Sequence, residues 1–307
     1  MSGANDTPLL SLKVQVPFWI CTLIWGTTWF VIRGQLGVVP AGWSVTYRFM
    51  VGALAMFAYA ILSAQRLGLD GRQQGFAAVF GFAQFGLNFN LVYQAEAYIT
   101  SGLVAILFAL LIVPNTVLSR VFLGQRATKQ FYLGSLVAIA GIALLFVNEY
   151  RQAGADSNVA LGIGLTVGSV FSASVANVLQ ATSRAREMPM ATMLAWGMVW
   201  GALADATWAW TTTGPPVVDW SPAYLGGVLY LGVAASAVTF MAYFRVIRLI
   251  GPGPAAYSNI ITPMIAMAIS TLFESYRWTA IAAGGGMLAL TGLAIALSAR
   301  RPAAKSG

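Results

Sequence analysis

The 307-residue sequence contains no histidine, one cysteine and few charged residues, which make up only 8% of it. Each shortage excludes something. Without histidine there are no His-ligated metal sites, no His-based catalytic dyads and no His proton relays. A single cysteine, Cys21, forbids an intrachain disulfide and leaves the redox compartment unread. Soluble domains carry roughly 25% charged residues. A chain with 8% charged and 58% hydrophobic residues cannot clothe a water-facing surface, because solvated charge is what keeps a surface wet. Most of it is expected to face lipid or other helices. A span needs about 20 apolar residues, so the length allows about ten to twelve spans and leaves nothing for a soluble domain.

The net charge is +8. A nucleic-acid partner would want that excess gathered into one patch. Here it punctuates apolar runs, as membrane topology does, so the expected surroundings are a lipid bilayer and no nucleic acid. The runs are 16–34, 42–64, 74–95, 98–119, 130–148, 159–181, 190–212, 222–244, 253–273 and 278–299. They are too long and too uniformly apolar for the alternating strands of about ten residues that build a membrane barrel. The spacing therefore predicts an all-α membrane protein with ten transmembrane helices. The first run follows only one basic residue, Lys13, and precedes no small-x-small site, so it reads as a span and not as a cleaved signal.

Orientation follows from lysine and arginine. With the N-terminus inside, the inner segments hold Lys13, Arg66, Arg72, Arg120, Arg126, Lys129, Arg184, Arg186, Arg245, Arg248, Arg300, Arg301 and Lys305, which is 13 of 17. Arg33, Arg48, Arg151 and Arg277 fall outside, with Glu96, Glu149, Asp156, Asp219 and Glu274. This asymmetry, like the even number of runs, puts both termini in the cytoplasm of a bacterial inner membrane.

The chain also repeats. Pro40 and Pro189, Gly52-Ala53-Leu54 and Gly201-Ala202-Leu203, and Pro114 and Pro263 are 149 residues apart; Gly81 and Gly232, and Gly141 and Gly292, are 151 apart. A unit of this length holds five helices. Five is odd, so the second copy is inverted, as in secondary carriers. The expected units are 1–150 and 159–307, joined by the polar segment 151–158.

These residues resemble the drug/metabolite transporter superfamily in its EamA-like, ten-helix form. The first run carries Trp25-Gly26-Thr27-Thr28-Trp29 and the second Pro40…Arg48. The last two carry Pro263, Glu274, Gly285 and Gly292. Gln125 departs from the pattern, standing where the second unit has Glu274. Within the superfamily the chain looks most like the bacterial aromatic amino-acid exporters. The resemblance implies a central cavity lined by helices 1, 3, 4, 6, 8 and 9, alternating access, and export as the direction.

Polar and aromatic residues in mid-run are the candidates for substrate contact, since polar groups facing lipid cost several kcal/mol. They are Trp25 and Thr28; Phe80, Gln84 and Asn88, the last two at i, i+4 on one face; Ser101; Ser169, Ser172 and Asn177; Ser236, Thr239 and Tyr243; and Ser258, Asn259 and Thr262, beside Tyr257 and just before Pro263. Pro263 frees the backbone carbonyl near Asn259 for a ligand ammonium. Each Ser or Thr has an equally physical structural use, bonding its own helix or a neighbour. Trp29 and Trp43 read as interfacial belt residues, and Tyr93 and Tyr98 as markers of an entrance. Arg48 and Asp205 lie within runs, where a charge is a functional hypothesis unless it snorkels to the interface.

The deep centre reads as free of Asp, Glu, Lys and Arg. That favours a facilitator or exchanger over proton-driven export, and a zwitterion over a fixed anion. The expected substrate is a small molecule, an aromatic or other neutral amino acid. The alternative is a drug or another small metabolite. No enzyme activity, cofactor, metal or obligate protein partner is expected. A serine–histidine dyad lacks its histidine, and an aspartyl dyad lacks a second deep aspartate. A channel would want a filter loop or a ring of charge. Gly284-Gly285-Gly286 is expected to pack closely on the fifth helix or on another copy.

Overall fold

The computed structural model describes residues 11–124, 128–152, 158–250 and 258–298, and all regular structure among them is helical. In chain order the long elements are α1 (Leu12–Arg33), α2 (Ala41–Leu62), α3 (Gly71–Ala95), α4 (Ser101–Leu123), α5 (Lys129–Gln152), α6 (Val159–Gln180), α7 (Met190–Thr213), α8 (222–250), α9 (Ser258–Phe273) and α10 (Ala280–Ser298). A single turn, Ser183–Arg186, joins α6 to α7. Arg126, Gln125, Asp156, most of the linker, Tyr257, Arg300, Arg301 and Lys305 lie outside the described residues.

Local chemistry explains many of the ends. Asp70 and Gln73 form a reciprocal capping box that opens α3 and satisfies two of the N–H groups a helix start leaves free. Ser221 caps α8, and Pro222 follows where a missing N–H costs nothing. Gly124 closes α4 at φ 66°, a left-handed conformation that a residue with a Cβ resists. Within α4 the helix breaks at Leu110–Leu111; Pro114 has no N–H to give the carbonyl of Leu110, four residues earlier.

Among the described residues, six helices are long and apolar enough to cross a membrane: α1, α2, α3, α4, α6 and the first part of α8. Within the described residues, α5, α9 and α10 carry the apolar stretches Lys129–Leu145, Ile261–Phe273 and Ala280–Ala296. The described part of α9 begins only at Ser258. α7 has 24 residues, but its Trp, Thr and Asp205 content dilutes its apolar character. Large apolar side chains such as Leu54, Leu62, Phe122 and Leu272 stay exposed on the outside of the bundle, where only lipid makes that exposure favourable. This is a multi-pass membrane protein.

The helices pack in recurring pairs. α2 lies on α7, α5 on α10 and α4 on α9. α1 packs on α8 and α9, and α6 on α3 and α4; α2 touches α8, and α3 touches α7. Glycines set the closest approaches. Gly141 faces Ala289 and Gly285 across the α5–α10 seam, and Gly292 faces Ala138 and Gly134. Gly52 meets the Gly232 carbonyl, and Gly201 meets that of Gly81. Of the glycine triplet, Gly285 packs on α5, while Gly284 and Gly286 have open space beside them.

α3 and α8 both widen into π-helix, at Phe82–Leu87 and Tyr230–Val238. Such widening loosens the regular ladder and gathers at functional sites. Side-chain hydroxyls take up the carbonyls. Ser236 Oγ donates to Leu231 O (2.8 Å) and Thr239 Oγ1 to Ala234 O (2.6 Å). From α6, Ser172 Oγ donates to Ala83 O at 2.8 Å.

Candidate functional site: a central cavity

Where the widened helices meet α1, α4, α6 and α9, they surround a cavity of about 140 Å³. α1 contributes Trp25, Thr28 and Trp29, and α3 contributes Gln84, Asn88 and Phe89. The broken α4 contributes Ala105, Phe108, Ala109, Leu111 and Asn115. Ala173 and Asn177 come from α6, Phe240 and Tyr243 from α8, and Thr262 and Pro263 from α9. α2 adds a single residue, Arg48.

The aromatic wall is itself packed. Trp25 lies 5.0 Å from Tyr243 and 5.8 Å from Phe240 between ring centroids, and Trp29 lies 4.9 Å from Phe108. The tilted and edge-on angles are those that aromatic quadrupoles favour. The amides are held from behind. Asn88 Nδ2 donates to Gln84 O at 3.0 Å, and Asn88 Oδ1 accepts from Ser169 Oγ at 2.7 Å. Asn177 Nδ2 reaches Asn115 Oδ1 at 3.4 Å.

Of the residues singled out in the sequence, Trp25, Thr28, Gln84, Asn88, Asn177, Tyr243 and Thr262 lie on the cavity wall. Seven others do not. Phe80 is buried edge-on to Phe85 and packs on Gly197 of α7. Ser169 stands behind Asn88 and Ser172 behind Ala83, while Ser236 and Thr239 stabilise the widened α8. Ser258 is buried away from the cavity. Ser101 opens α4 instead: its N–H and hydroxyl donate to Glu274 Oε2 and Oε1 at 3.1 and 2.6 Å. Ser270 Oγ bonds the same carboxylate at 2.9 Å. The Asn259 side chain falls outside the described residues.

The sequence reading missed Trp29, assigned to the interfacial belt although it stands four residues after Trp25 and shares its face. Phe89, Phe108 and Phe240 carry no signal at all, being apolar among apolar neighbours. Trp43 is buried, its indole N–H on Gly214 O at 3.2 Å, and Tyr93 is buried with its hydroxyl on Gln35 Oε1 at 2.9 Å.

The expectation of a charge-free centre is overturned. Arg48 is 1% exposed and lines the cavity; its side chain turns inward along the bundle rather than snorkelling to the interface. Its Nε donates to Ser236 Oγ at 3.2 Å, and its guanidinium lies over Phe89, 4.3 Å from the ring centre. Asp205, also fully buried, lies off the cavity. Its Oδ1 accepts from Asn90 Nδ2, so it is joined to α3 and not to Arg48. Among the described residues, no cluster of His, Cys, Asp and Glu could hold a metal ion.

The exposed apolar girdle, the buried polar cavity and the helices gathered around it define a membrane transporter. The model of the EamA-like transporter family matches residues 17–147 and again 160–298; the chain belongs to that family. It is 25% identical to the protein PagO of Salmonella typhimurium over 86% of both chains. It is 24% identical to the uncharacterized transporter YdfC of Bacillus subtilis, over 92% of this chain and 90% of that one. It is 25% identical to the uncharacterized inner membrane transporter YedA of Escherichia coli K12, over 81% and 79%. A crystal structure at 18% identity superposes with a TM-score of 0.67, covering 94% of this chain and 99% of the other, a likeness of fold alone.

Proposed function

We propose that the protein is a secondary transporter of the bacterial inner membrane that exports aromatic and other neutral amino acids by alternating access. The observation that carries this reading is the makeup of the cavity wall. Among the described residues, six aromatic side chains and four carboxamides surround it with one cation and no carboxylate. Such a wall stacks against an apolar or aromatic side chain and still offers hydrogen bonds to a polar backbone. Among the described residues no Asp, Glu, His or Lys lines it, so a proton relay finds no carrier among them and facilitated diffusion or exchange is the coupling we favour.

Alternating access needs two arrangements of similar energy, and an inverted repeat supplies them. In our reading the units are 1–150 and 159–307, ten spanning helices in all, with the termini in the cytoplasm. Swapping each helix for the one five places on turns the α1–α9 pair into α6–α4, α1–α8 into α6–α3, and α2–α8 into α7–α3, while α2–α7, α4–α9 and α5–α10 map onto themselves. Every one of these packings is present. The two π segments sit at matching places, and so do the Gly52–Gly232 and Gly201–Gly81 approaches.

The test is uptake of a labelled amino-acid panel into proteoliposomes of pure protein, with and without a pH gradient. Saturable uptake of several neutral or aromatic amino acids, insensitive to the gradient, is expected. Absence of amino-acid flux removes the substrate assignment, and uptake that requires the gradient removes the proposed coupling.

A further inference from the structure

The cavity wall has a deficit of acceptors. Arg48 Nη1 is buried with no hydrogen-bond partner, and Trp29 Nε1 and Thr262 Oγ1 are in the same condition. All three residues line the one cavity. Two of these groups can only donate, and the hydroxyl can donate as well. Buried donors without acceptors are costly, and a buried cation without an anion is costlier still. A guanidinium, unlike an amine, does not discard its proton to escape that cost. Glu96 acts on Arg48 electrostatically, yet neither of its carboxylate oxygens takes a hydrogen bond, so it does not supply the missing acceptor.

We infer that the missing acceptor is the solute's own carboxylate: Arg48 makes this cavity a carboxylate-binding site, with the Trp29 indole N–H and the Thr262 hydroxyl as further donors on its wall. The assignment rests on the transporter reading and names the chemical group that the transported molecule presents. Stacking on Phe89 occupies the face of the guanidinium, Ser236 takes Nε and the Tyr93 hydroxyl interacts with it as well, which leaves Nη1 as the donor without a partner. A carboxylate is the charge-matched acceptor for that donor, and its hydrogen bond to a guanidinium is stronger than one between neutral groups. Among the described residues Arg48 is the one cation lining the cavity, which suits a singly charged group and not a phosphate dianion. The aromatic wall then faces the rest of the solute.

The experiment holds one skeleton fixed and changes its polar groups. Phenylalanine, its carboxamide, phenethylamine and 3-phenylpropionate are compared at neutral pH. Each is measured as a ligand in thermal-shift titrations of the purified protein and as a competitor of phenylalanine uptake. Arg48→Gln and Arg48→Lys accompany the native chain. At least tenfold weaker binding of the carboxamide and the amine than of phenylalanine is expected. In Arg48→Gln that preference disappears, and in Arg48→Lys it is partly kept. Equal competition by 3-phenylpropionate assigns the site to carboxylates at large, and weaker competition assigns it to amino acids; both support the role of Arg48. If the carboxamide matches phenylalanine in the native protein, the role of Arg48 is overturned while transport stands. If none of the four binds or is taken up, the amino-acid reading falls and this assignment with it. Should Arg48→Gln fail to fold, the comparison of analogues on the native chain still decides.

Discussion

Asn90 and Asp205 make one buried hydrogen bond between α3 and α7, and removing either partner should not cost the same. Asp205 is fully buried; its Oδ1 accepts from Asn90 Nδ2, and its Oδ2 has no partner. Asn90→Ala therefore leaves a buried carboxyl group with neither oxygen satisfied. Asp205→Ala removes that group and leaves only the Asn90 amide, which keeps a long contact to Gly86 O at 3.5 Å. The two side chains are nearly isosteric, so the cavity left behind is similar and cancels in the comparison. Orphaning a buried polar group costs about 1–3 kcal/mol, more if it is charged. Interhelical hydrogen bonds in membranes average only about 0.6 kcal/mol in double-mutant cycles, with a maximum near 1.7. Asn90→Ala should thus destabilise by about 2–3 kcal/mol and Asp205→Ala by about 1–2, with a coupling of about 1 kcal/mol. The double variant should be less destabilised than the sum of the two. Thermal unfolding of the four proteins in detergent measures this. Equal single costs, or strict additivity, would refute the reasoning. Because Asp205 is off the cavity, Asp205→Asn should keep near-native uptake; a loss of flux in a folded Asp205→Asn protein would make Asp205 a proton carrier.

Three further outcomes follow from the packing. Gly285→Leu, which drives a side chain into the α5 backbone, should destabilise by about 3 kcal/mol or more, whereas Gly284→Leu, beside open space, should not shift the unfolding temperature. Gln84→Leu should abolish uptake with insertion and unfolding unchanged; Asn88→Leu should lose uptake and also about 1 kcal/mol of stability, since Asn88 joins Ser169 to α3. Glu274→Ala should cost about 1–2 kcal/mol in detergent unfolding by stripping the acceptor from the start of α4.

What the sequence disclosed depends on what each residue must do. Helix positions follow from apolar runs, and α2, α6 and α7 begin within a residue of where the runs do. Pro40 and Pro189 stand immediately before α2 and α7, where a missing N–H breaks no intrahelical hydrogen bond. Gln84 and Asn88 were legible because a carboxamide is expensive in lipid and must face inward. Serine and threonine were not, because a hydroxyl satisfies its own helix as readily as a ligand: Thr28 lines the cavity while bonding Ile24 O, but Ser172 and Thr239 serve the widened helices, and Ser236 serves its own helix and Arg48 behind the cavity wall. The π segments left no mark in composition. Arg48 was visible as a charge in an apolar run, yet only the packing of Phe89 and Ser236 around it shows that it turns inward.

The central claim is that solute occupies this cavity. It is tested most directly with Ala173→Cys, on α6 at the cavity wall, in a Cys21→Ser background. Leu161→Cys, on the lipid-facing side of the same helix, serves as the control. Labelling by a membrane-permeant thiol reagent is followed with and without saturating phenylalanine. The account predicts that phenylalanine slows labelling at position 173 at least fivefold and leaves position 161 unchanged. Equal labelling at position 173 with and without a solute that the protein demonstrably transports would contradict it.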